Sequence, residues 1–524
     1  MCQHSRFAAS AYHRAIQNLT VLHGLARIVT PALEMIMGFA DAADLRKRAR
    51  MLAEAGDVDS AIDLALQALQ ALAVGPARVA EKQFAARLIH RGKKPLPERL
   101  ADQVHTLLVD PDVNPRRIER AGWALLHAAG RIPTLDAESL ARWLEQDDFA
   151  QALLRESHVT IAEIEHLLTG LRRWLLLGDR SADFPNSVAA LARQAAHNAG
   201  AWLIDPEERA KLGSGAGGDL RPAYFPERPR PDRDRPFASD VTRQVAAQYD
   251  SWPYPAWHRA MAGRGESFTG TIAAIAPDAP PALAEDARVL IAGCGSGLQA
   301  MTWAQRFPQL KITAIDISAS ALAYAEERRD PGLTNLRFEL CDLHDAAHLG
   351  TFDVIAVSGV LHHLPDPEAG WAALTRLLVP GGVMRVAVYS TLARLMVRAC
   401  QARIADLAAA PIDDDVLRAV RARLMEGPPN DVTGSPDFFH LGGVHDLLLH
   451  RHEDAFDVPR IQRALDTLGL ELLRINFPGP AAARYRLAYP HDHMLRDTVA
   501  WAAFERRYPR TFAGMYDFWC RKPG

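Results

Sequence analysis

Through residues 1–206 apolar positions recur every three to four residues, with Ala, Leu and Arg abundant and few β-branched runs, so the pattern predicts amphipathic helices throughout. One hairpin is explicit: Leu45, Ala49 and Leu52 share a helical face, Gly56-Asp57 makes the turn, and Ala61, Ala65 and Ala68 share a face of the next helix. Between Leu212 and Asp240 the periodicity gives way to Gly213-Ser214-Gly215-Ala216-Gly217-Gly218, then to Pro222, Pro226, Pro229, Pro231 and Pro236 among Arg and Asp. That composition predicts a linker or long surface loop. From about Glu285 short apolar runs alternate with helical stretches, which predicts βαβ units around a mostly parallel sheet. Strands are expected over 287–292, 311–316, 335–340, 352–357, 383–389 and 470–477, with a helix from Leu298 and another opening at Val458-Pro459.

Length and composition narrow the class. A chain of 524 residues, 48% hydrophobic and 23% charged, holds enough apolar material for about three packed domains. Sixty Lys+Arg against sixty-three Asp+Glu leave a net charge of −3, with no global footprint for nucleic acid. Cys2, Cys294, Cys341, Cys400 and Cys520 are scattered and form no C-x-x-C pair, which argues against a disulfide framework or zinc ribbon and suits a reducing cytoplasm. The apolar stretch Leu19 to Ala43 is broken by His23, Arg27 and Glu34, so neither a membrane span nor an export signal is expected.

The chemistry concentrates after the first strand. Gly293-Cys294-Gly295-Ser296-Gly297 joins that strand to a helix; glycines there allow a tight turn and close approach to a ligand, and the free N–H groups can face a polar group. Dinucleotide enzymes use a similar loop, so it discriminates little alone. The second strand ends in Asp316, about where a ribose diol sits in a doubly wound sheet, and the third in Cys341-Asp342-Leu343, a carboxylate able to accept from an adenine amino group. The fourth runs into Ser358-Gly359-Val360-Leu361-His362-His363-Leu364, so four strand ends converge on one crevice.

The order Gly-Cys-Gly-Ser-Gly, Ala-Ile-Asp-Ile-Ser, Cys-Asp-Leu, Val-Leu-His-His-Leu-Pro-Asp-Pro and Leu-Leu-Val-Pro-Gly-Gly-Val over 285–390 resembles the class I S-adenosylmethionine-dependent methyltransferases. The resemblance implies an α/β, Rossmann-like seven-stranded sheet with an antiparallel last strand near 515–521, preceded here by an all-α domain. It implies S-adenosylmethionine held by Gly293, Cys294, Gly295 and Gly297 at the methionine moiety, Asp316 on the ribose, Ile317 on adenine and Asp342-Leu343 at the adenine edge, with Gly359 and Tyr249 completing the set. The acidic residue usual two positions before the first glycine is Ile291 here. Gln248 to Trp257, Asp437-Phe438-Phe439 and His445 to His450 further resemble large bacterial methyltransferases with a helical, often tetratricopeptide-like, N-terminal region, including rickettsial protein-lysine methyltransferases. The 45–68 hairpin is similar to one degenerate unit of that kind.

The expected organisation is a helical domain over 1–210, a linker over 211–240, a catalytic core with an N-terminal lid over 241–390, an acceptor-side insertion over 391–456, and the end of the sheet over 457–524. His363, His362 and Tyr254 are the catalytic candidates, able to take a proton or orient an acceptor. Trp257, Tyr389, Phe438 and Phe439 are the acceptor-site candidates, and Tyr249, Tyr254 and Trp257 could form an aromatic lid over a cation. His440, His445, His450, His452, Glu453, His491 and His493 match no common zinc spacing, and no metal is expected. The acceptor is open between a protein side chain such as lysine and a small molecule, a module that binds S-adenosylmethionine without turnover is the alternative from another class, and a homodimer is left open.

Overall fold

A computed structural model describes residues 42–72, 76–133, 136–227, 239–257, 259–260, 267–477 and 481–524. Most of the stretch from Leu19 to Ala43, and residues 228–238 of the expected linker, lie outside the described residues. The chain forms two compact units, 1–94 and 95–524.

In the first unit α1 (Ala42–Glu54) and α2 (Val58–Ala71) form the expected hairpin, followed by α3 (Pro76–Arg91). Leu45, Ala49 and Ala53 are buried on one helix and Ala61, Ala65 and Ala68 on the other, small residues that bring the two axes close. Leu52 is only partly buried, so Ala53 takes the inward place expected for it. Gly56 turns the chain at φ 91°, and Asp57 caps α2 by accepting from the Ser60 N–H at 3.2 Å.

The second unit joins a helical layer to the sheet. Its helices relevant to the site are α4 (Glu119–Ala128), α5 (Ala162–Leu177), α6 (Asp240–Ser251), α7 (Leu298–Arg306), α8 (Asp414–Met425) and α9 (Leu441–Leu448). Part of the expected linker is packed: Gly218–Ala223 forms a 3-10 turn, and the following Tyr224 is fully buried, donating its hydroxyl to Glu208 at 2.6 Å beneath the Arg172 guanidinium. An aromatic ring in a Pro/Gly-rich tract thus anchors backbone that composition alone reads as solvated. On α8, buried Arg421 donates to Ala201 O at 2.6 Å, Glu165 Oε2 at 2.8 Å and Phe438 O at 2.7 Å, fastening the 391–456 insertion to the helical layer.

Glu119 at the start of α4 is buried against the Thr160 N–H (2.8 Å) and hydroxyl, and burial raises its carboxyl to about 7. Because the folded value lies above the unfolded one, the proton on Glu119 favours the fold below about pH 4.5, and this contribution is lost as pH rises through 7. Relative to Glu119→Gln, the wild type should lose about 3 kcal/mol of stability between pH 4.5 and 8. Urea unfolding of both proteins across that range reads the difference, and parallel curves would refute it.

The sheet has strands β1 (Arg288–Ala292), β2 (Lys311–Asp316), β3 (Leu336–Leu340), β4 (Phe352–Ser358), β5 (Leu378–Val388), β6 (Glu471–Ile475) and β7 (Tyr516–Arg521) in the order β3-β2-β1-β4-β5-β7-β6. β1 to β5 are parallel, and β7 runs antiparallel to β5 and β6. The order reverses at β1/β4, which opens the crevice at their carboxyl ends. β5 begins five residues before the expected Val383, because pairing with β4 continues through Gly381-Gly382 across a register shift between Phe352 and Val354. Both faces bury apolar residues: Leu290, Val357 and Val386 lie in one cluster, Ile291, Ala356 and Trp519 in the other.

Candidate active site at the carboxyl ends of the parallel strands

A cavity of about 830 Å³ opens at this crevice. At one end Gly293, Gly295 and Gly297 have φ of 65°, 53° and 83°. A Cβ on Gly293 would strike Val360, and one on Gly295 the Tyr254 carbonyl, so the loop tolerates no side chain there. The 252–257 segment lies directly on the loop: Ser296 N–H donates to Tyr254 O at 3.0 Å, Trp257 Nε1 donates to Ser296 O at 2.8 Å, and Arg116 Nη2 donates to Ala256 O at 2.5 Å.

Asp316 lines the cavity with its carboxylate oriented by the Gly295 N–H (2.7 Å) and the Ser318 N–H (2.8 Å). Burial pulls the Asp342 carboxyl up, but hydrogen bonds from His344 to Oδ1 outweigh it and hold the group below its ordinary range. Asp342 Oδ2 is buried without a partner among the described residues, as is Ser358 Oγ. Two orphaned polar atoms on residues that line the cavity are groups a ligand can satisfy. An adenosyl group fits: Asp342 Oδ2 can accept from an exocyclic amine, Asp316 from a ribose, and Ile317 and Leu343 supply the apolar faces. Ile291 is fully buried in the core, away from the cavity. The Cys294 thiol is pushed well up by burial and that of Cys341 to about 11 by burial, so neither is a nucleophile at neutral pH.

The opposite end is a recess built by α6, the end of β5 and α9. Tyr249 donates to Asp446 Oδ1 at 2.6 Å, Tyr389 donates to Asp446 Oδ2 at 3.2 Å, and Tyr254 is hydrogen-bonded to Asp437. Burial, reinforced by nearby carboxylates, raises all three phenols well above their ordinary value, and burial followed by Asp446 raises the Asp437 carboxyl. His363 faces this recess with Nδ1 donating to His452 O at 2.9 Å, which leaves the Nε2 lone pair open. Burial, then Arg394, lowers its imidazole to about 3; burial, then His363, lowers His450 to about 2. Both rings are neutral at physiological pH, stacked at 3.5 Å.

His363, Asp446 and His450 bring ligand-type atoms within 4.8 Å of one another. Their hydrogen bonds already assign those atoms. His450 Nδ1 accepts from the His452 N–H at 3.1 Å, so its Nε2 carries the proton and donates to Tyr249 at 3.2 Å, leaving no lone pair for an ion. Stacked rings also direct their in-plane lone pairs side by side, not toward one point.

The cavity thus brings together Gly293, Cys294, Gly295, Asp316, Ile317, Asp342, Leu343, Gly359, Tyr249, Tyr254, His363 and Tyr389. Gly297 lies beneath the loop, where a Cβ would strike Ala325. Four expectations are corrected. His362 is fully buried against Tyr389 and faces away from the cavity, accepting the Tyr389 N–H at Nδ1. Trp257 is occupied with Ser296, and Phe438 and Phe439 pack in the core of the insertion, because their rings supply the apolar mass that seats α8 and α9. Sequence reading gave Asp446, Asp437 and His450 no acceptor role, although the segments Asp437-Phe438-Phe439 and His445 to His450 stood out as motifs and Asp446 and His450 are four residues, about one helical turn, apart.

Residues 290–384 match the model of a family described as a methyltransferase domain. An uncharacterized protein of Synechococcus is 38% identical over 182 residues, 32% of this chain and 41% of its own length. The trans-aconitate 2-methyltransferase of Deinococcus radiodurans is 41% identical over 102 residues, 20% of this chain and 38% of its own. The chain therefore spans about two fifths of the length of these relatives. Among solved structures, PKMT2 from Rickettsia typhi in complex with AdoHcy aligns at 16% identity over 48% of this chain and 53% of that one, with a TM-score of 0.36. Sheet order, glycine loop and family match define a class I methyltransferase domain, whose cofactor is S-adenosylmethionine. No helix among the described residues is long and apolar enough to cross a membrane.

Proposed function

We propose that the whole chain is an S-adenosylmethionine-dependent methyltransferase whose acceptor is an amine, on a protein side chain such as lysine or on a small molecule. The polarity of the recess carries this reading. The hydroxyl hydrogens of Tyr249 and Tyr389 are committed to Asp446 and that of Tyr254 to Asp437, while His363 Nε2 holds a lone pair, so the wall offers acceptors and almost no donors. An amine supplies N–H groups to that wall and, when charged, meets aromatic faces and two carboxylates. A carboxylate acceptor would face those same carboxylates unpaired.

Bound S-adenosylmethionine supplies a methyl group already activated on a sulfonium. The chain's own residues orient and desolvate the acceptor. With its imidazole lowered to about 3, His363 serves as a neutral hydrogen-bond acceptor, not as a strong base. It accepts a hydrogen bond from the amine in its neutral form and turns the nitrogen lone pair toward the open cavity; the nitrogen takes the methyl group and the positive charge of the sulfonium, and its extra proton leaves to solvent. Tyr249 and Tyr389, pinned by Asp446, take the remaining N–H groups.

The test is to incubate the protein with methyl-tritiated S-adenosylmethionine and an extract of cells that express it. Label is then counted in precipitated protein and in the soluble fraction, before and after mild base. N-methyl groups survive base, whereas methyl esters release methanol. Base-stable label is expected, and its partition distinguishes a protein amine from a small-molecule amine. Base-labile label would sink the amine reading, and cofactor binding with no transfer would favour the non-catalytic module.

A further inference from the structure

The cavity extends beyond the cofactor end and the tyrosine recess into a third arm, between α7 and strands β5 and β7. Gln299, Thr302 and Trp303 of α7, Arg385 of β5, Asp517 of β7 and Asn476 line it. Arg385 donates Nε and Nη2 to the two carboxylate oxygens of Asp517 at 2.9 and 2.8 Å. Its Nη1 hydrogens have no partner among the described residues, nor do the side chains of Gln299, Thr302 and Asn476. The arm is therefore close to neutral in charge, yet its fixed polar element is a guanidinium edge that can only donate, flanked by two adaptable amides and a hydroxyl.

The strand register sets the Arg385–Asp517 end of this arm apart from the glycine loop, while Gln299, two residues beyond Gly297, joins the two. Ala292 of β1 is level with Val357 of β4, and Ser358 with Ala387 of β5, which is level with Asp517 of β7. The Arg385–Asp517 pair therefore bridges β5 and β7, two to three strand spacings from the glycine loop, or about 10–14 Å. It is much nearer the recess. Arg385, Ala387 and Tyr389 alternate onto one face, and Tyr389 lies two residues beyond the level of Asp517, about 7 Å along the strand.

We infer that the arm binds the far end of the acceptor: a neutral carbonyl oxygen of the amide type, accepting from Arg385 Nη1 and the Gln299 and Asn476 amides, tethered about five carbons from the reacting amine. A carboxylate suits the arm less well because Asp517 already neutralises Arg385. This inference rests on the amine reading and adds to it a second polar group at a stated separation, which makes Arg385 a specificity-determining residue.

Two probes that share the reacting end separate the ideas. These are 1,5-diaminopentane and N-acetyl-1,5-diaminopentane, titrated calorimetrically into the protein saturated with S-adenosylhomocysteine. The acetylated amine is expected to bind at least roughly tenfold more tightly. Because Arg385→Met alone would leave Asp517 unpaired, the paired variant Arg385→Met/Asp517→Asn is used, and it should erase most of that preference. Equal affinity of the two probes for the wild type, or a preference that survives in the variant, overturns this inference while leaving the amine reading intact. Binding of neither probe overturns both. Parallel loss of S-adenosylhomocysteine affinity in the variant would assign the arm to the cofactor and overturn the inference as well.

Discussion

Asp446→Asn should lower kcat/KM for an amine acceptor by about a hundredfold or more, while the affinity for S-adenosylmethionine changes by less than about threefold. The reason is geometric. Asp446 receives both the Tyr249 and Tyr389 hydroxyls and fixes their oxygens as acceptors toward the recess. An asparagine amide accepts from one phenol and donates to the other, so one tyrosine turns its hydrogen into the recess and meets the incoming N–H donor-to-donor. Exchanging two hydrogen bonds to a charged group for two to a neutral amide, and gaining a donor-to-donor contact with the incoming amine, accounts for a loss of about 3 kcal/mol. Steady-state kinetics beside calorimetry of cofactor binding give the two numbers. Unchanged kcat/KM would remove Asp446 from the acceptor site, and an equal loss of cofactor affinity would indicate collapse of the whole cavity.

Asp316→Ala should weaken S-adenosylmethionine binding by about tenfold to a hundredfold, equivalent to about 1.5–3 kcal/mol. The carboxylate is expected to accept from the ribose, and it also receives the Gly295 and Ser318 N–H groups. Its removal therefore frees two backbone donors and loosens a glycine loop that has no side chains to hold it. Calorimetry reads the loss, with urea unfolding as the control for global stability. Affinity unchanged within error would show that Asp316 does not serve the ribose.

Part of the sheet was legible because β1, β2 and β4 are largely apolar runs ended by a glycine or a carboxylate or running into a Ser-Gly turn. β1, β2 and β4 fall within about a residue of expectation. The placing of the glycine loop beside Asp316 was equally legible, because the loop and the strand end paired beside it come together through local structure alone. The insertion was read less well. Phe438 and Phe439 were expected at the acceptor and lie in the core, while Asp446 was given no acceptor role and holds the recess together. Nothing in the sequence distinguishes an aromatic ring that packs from one that lines a cavity, since both are apolar positions on a short helix.

Periodicity in the sequence predicted an α/β core behind a helical region, and the motifs at consecutive strand ends carried the resemblance that implied seven strands and the residues expected to hold the methyl donor. Those features depend on repeats along the chain and on contacts between its neighbouring segments. Tertiary structure decided the polarity of the acceptor side. Tyr249, Tyr389 and Asp446 are separated by 57 to 197 residues, and only their convergence commits the hydroxyl hydrogens and makes the wall an acceptor. The same holds for Arg385 and Asp517, 132 residues apart and joined only because β7 returns antiparallel beside β5. A hydroxyl or a guanidinium has no fixed role in a sequence; its partner sets which hydrogens and lone pairs remain for a ligand.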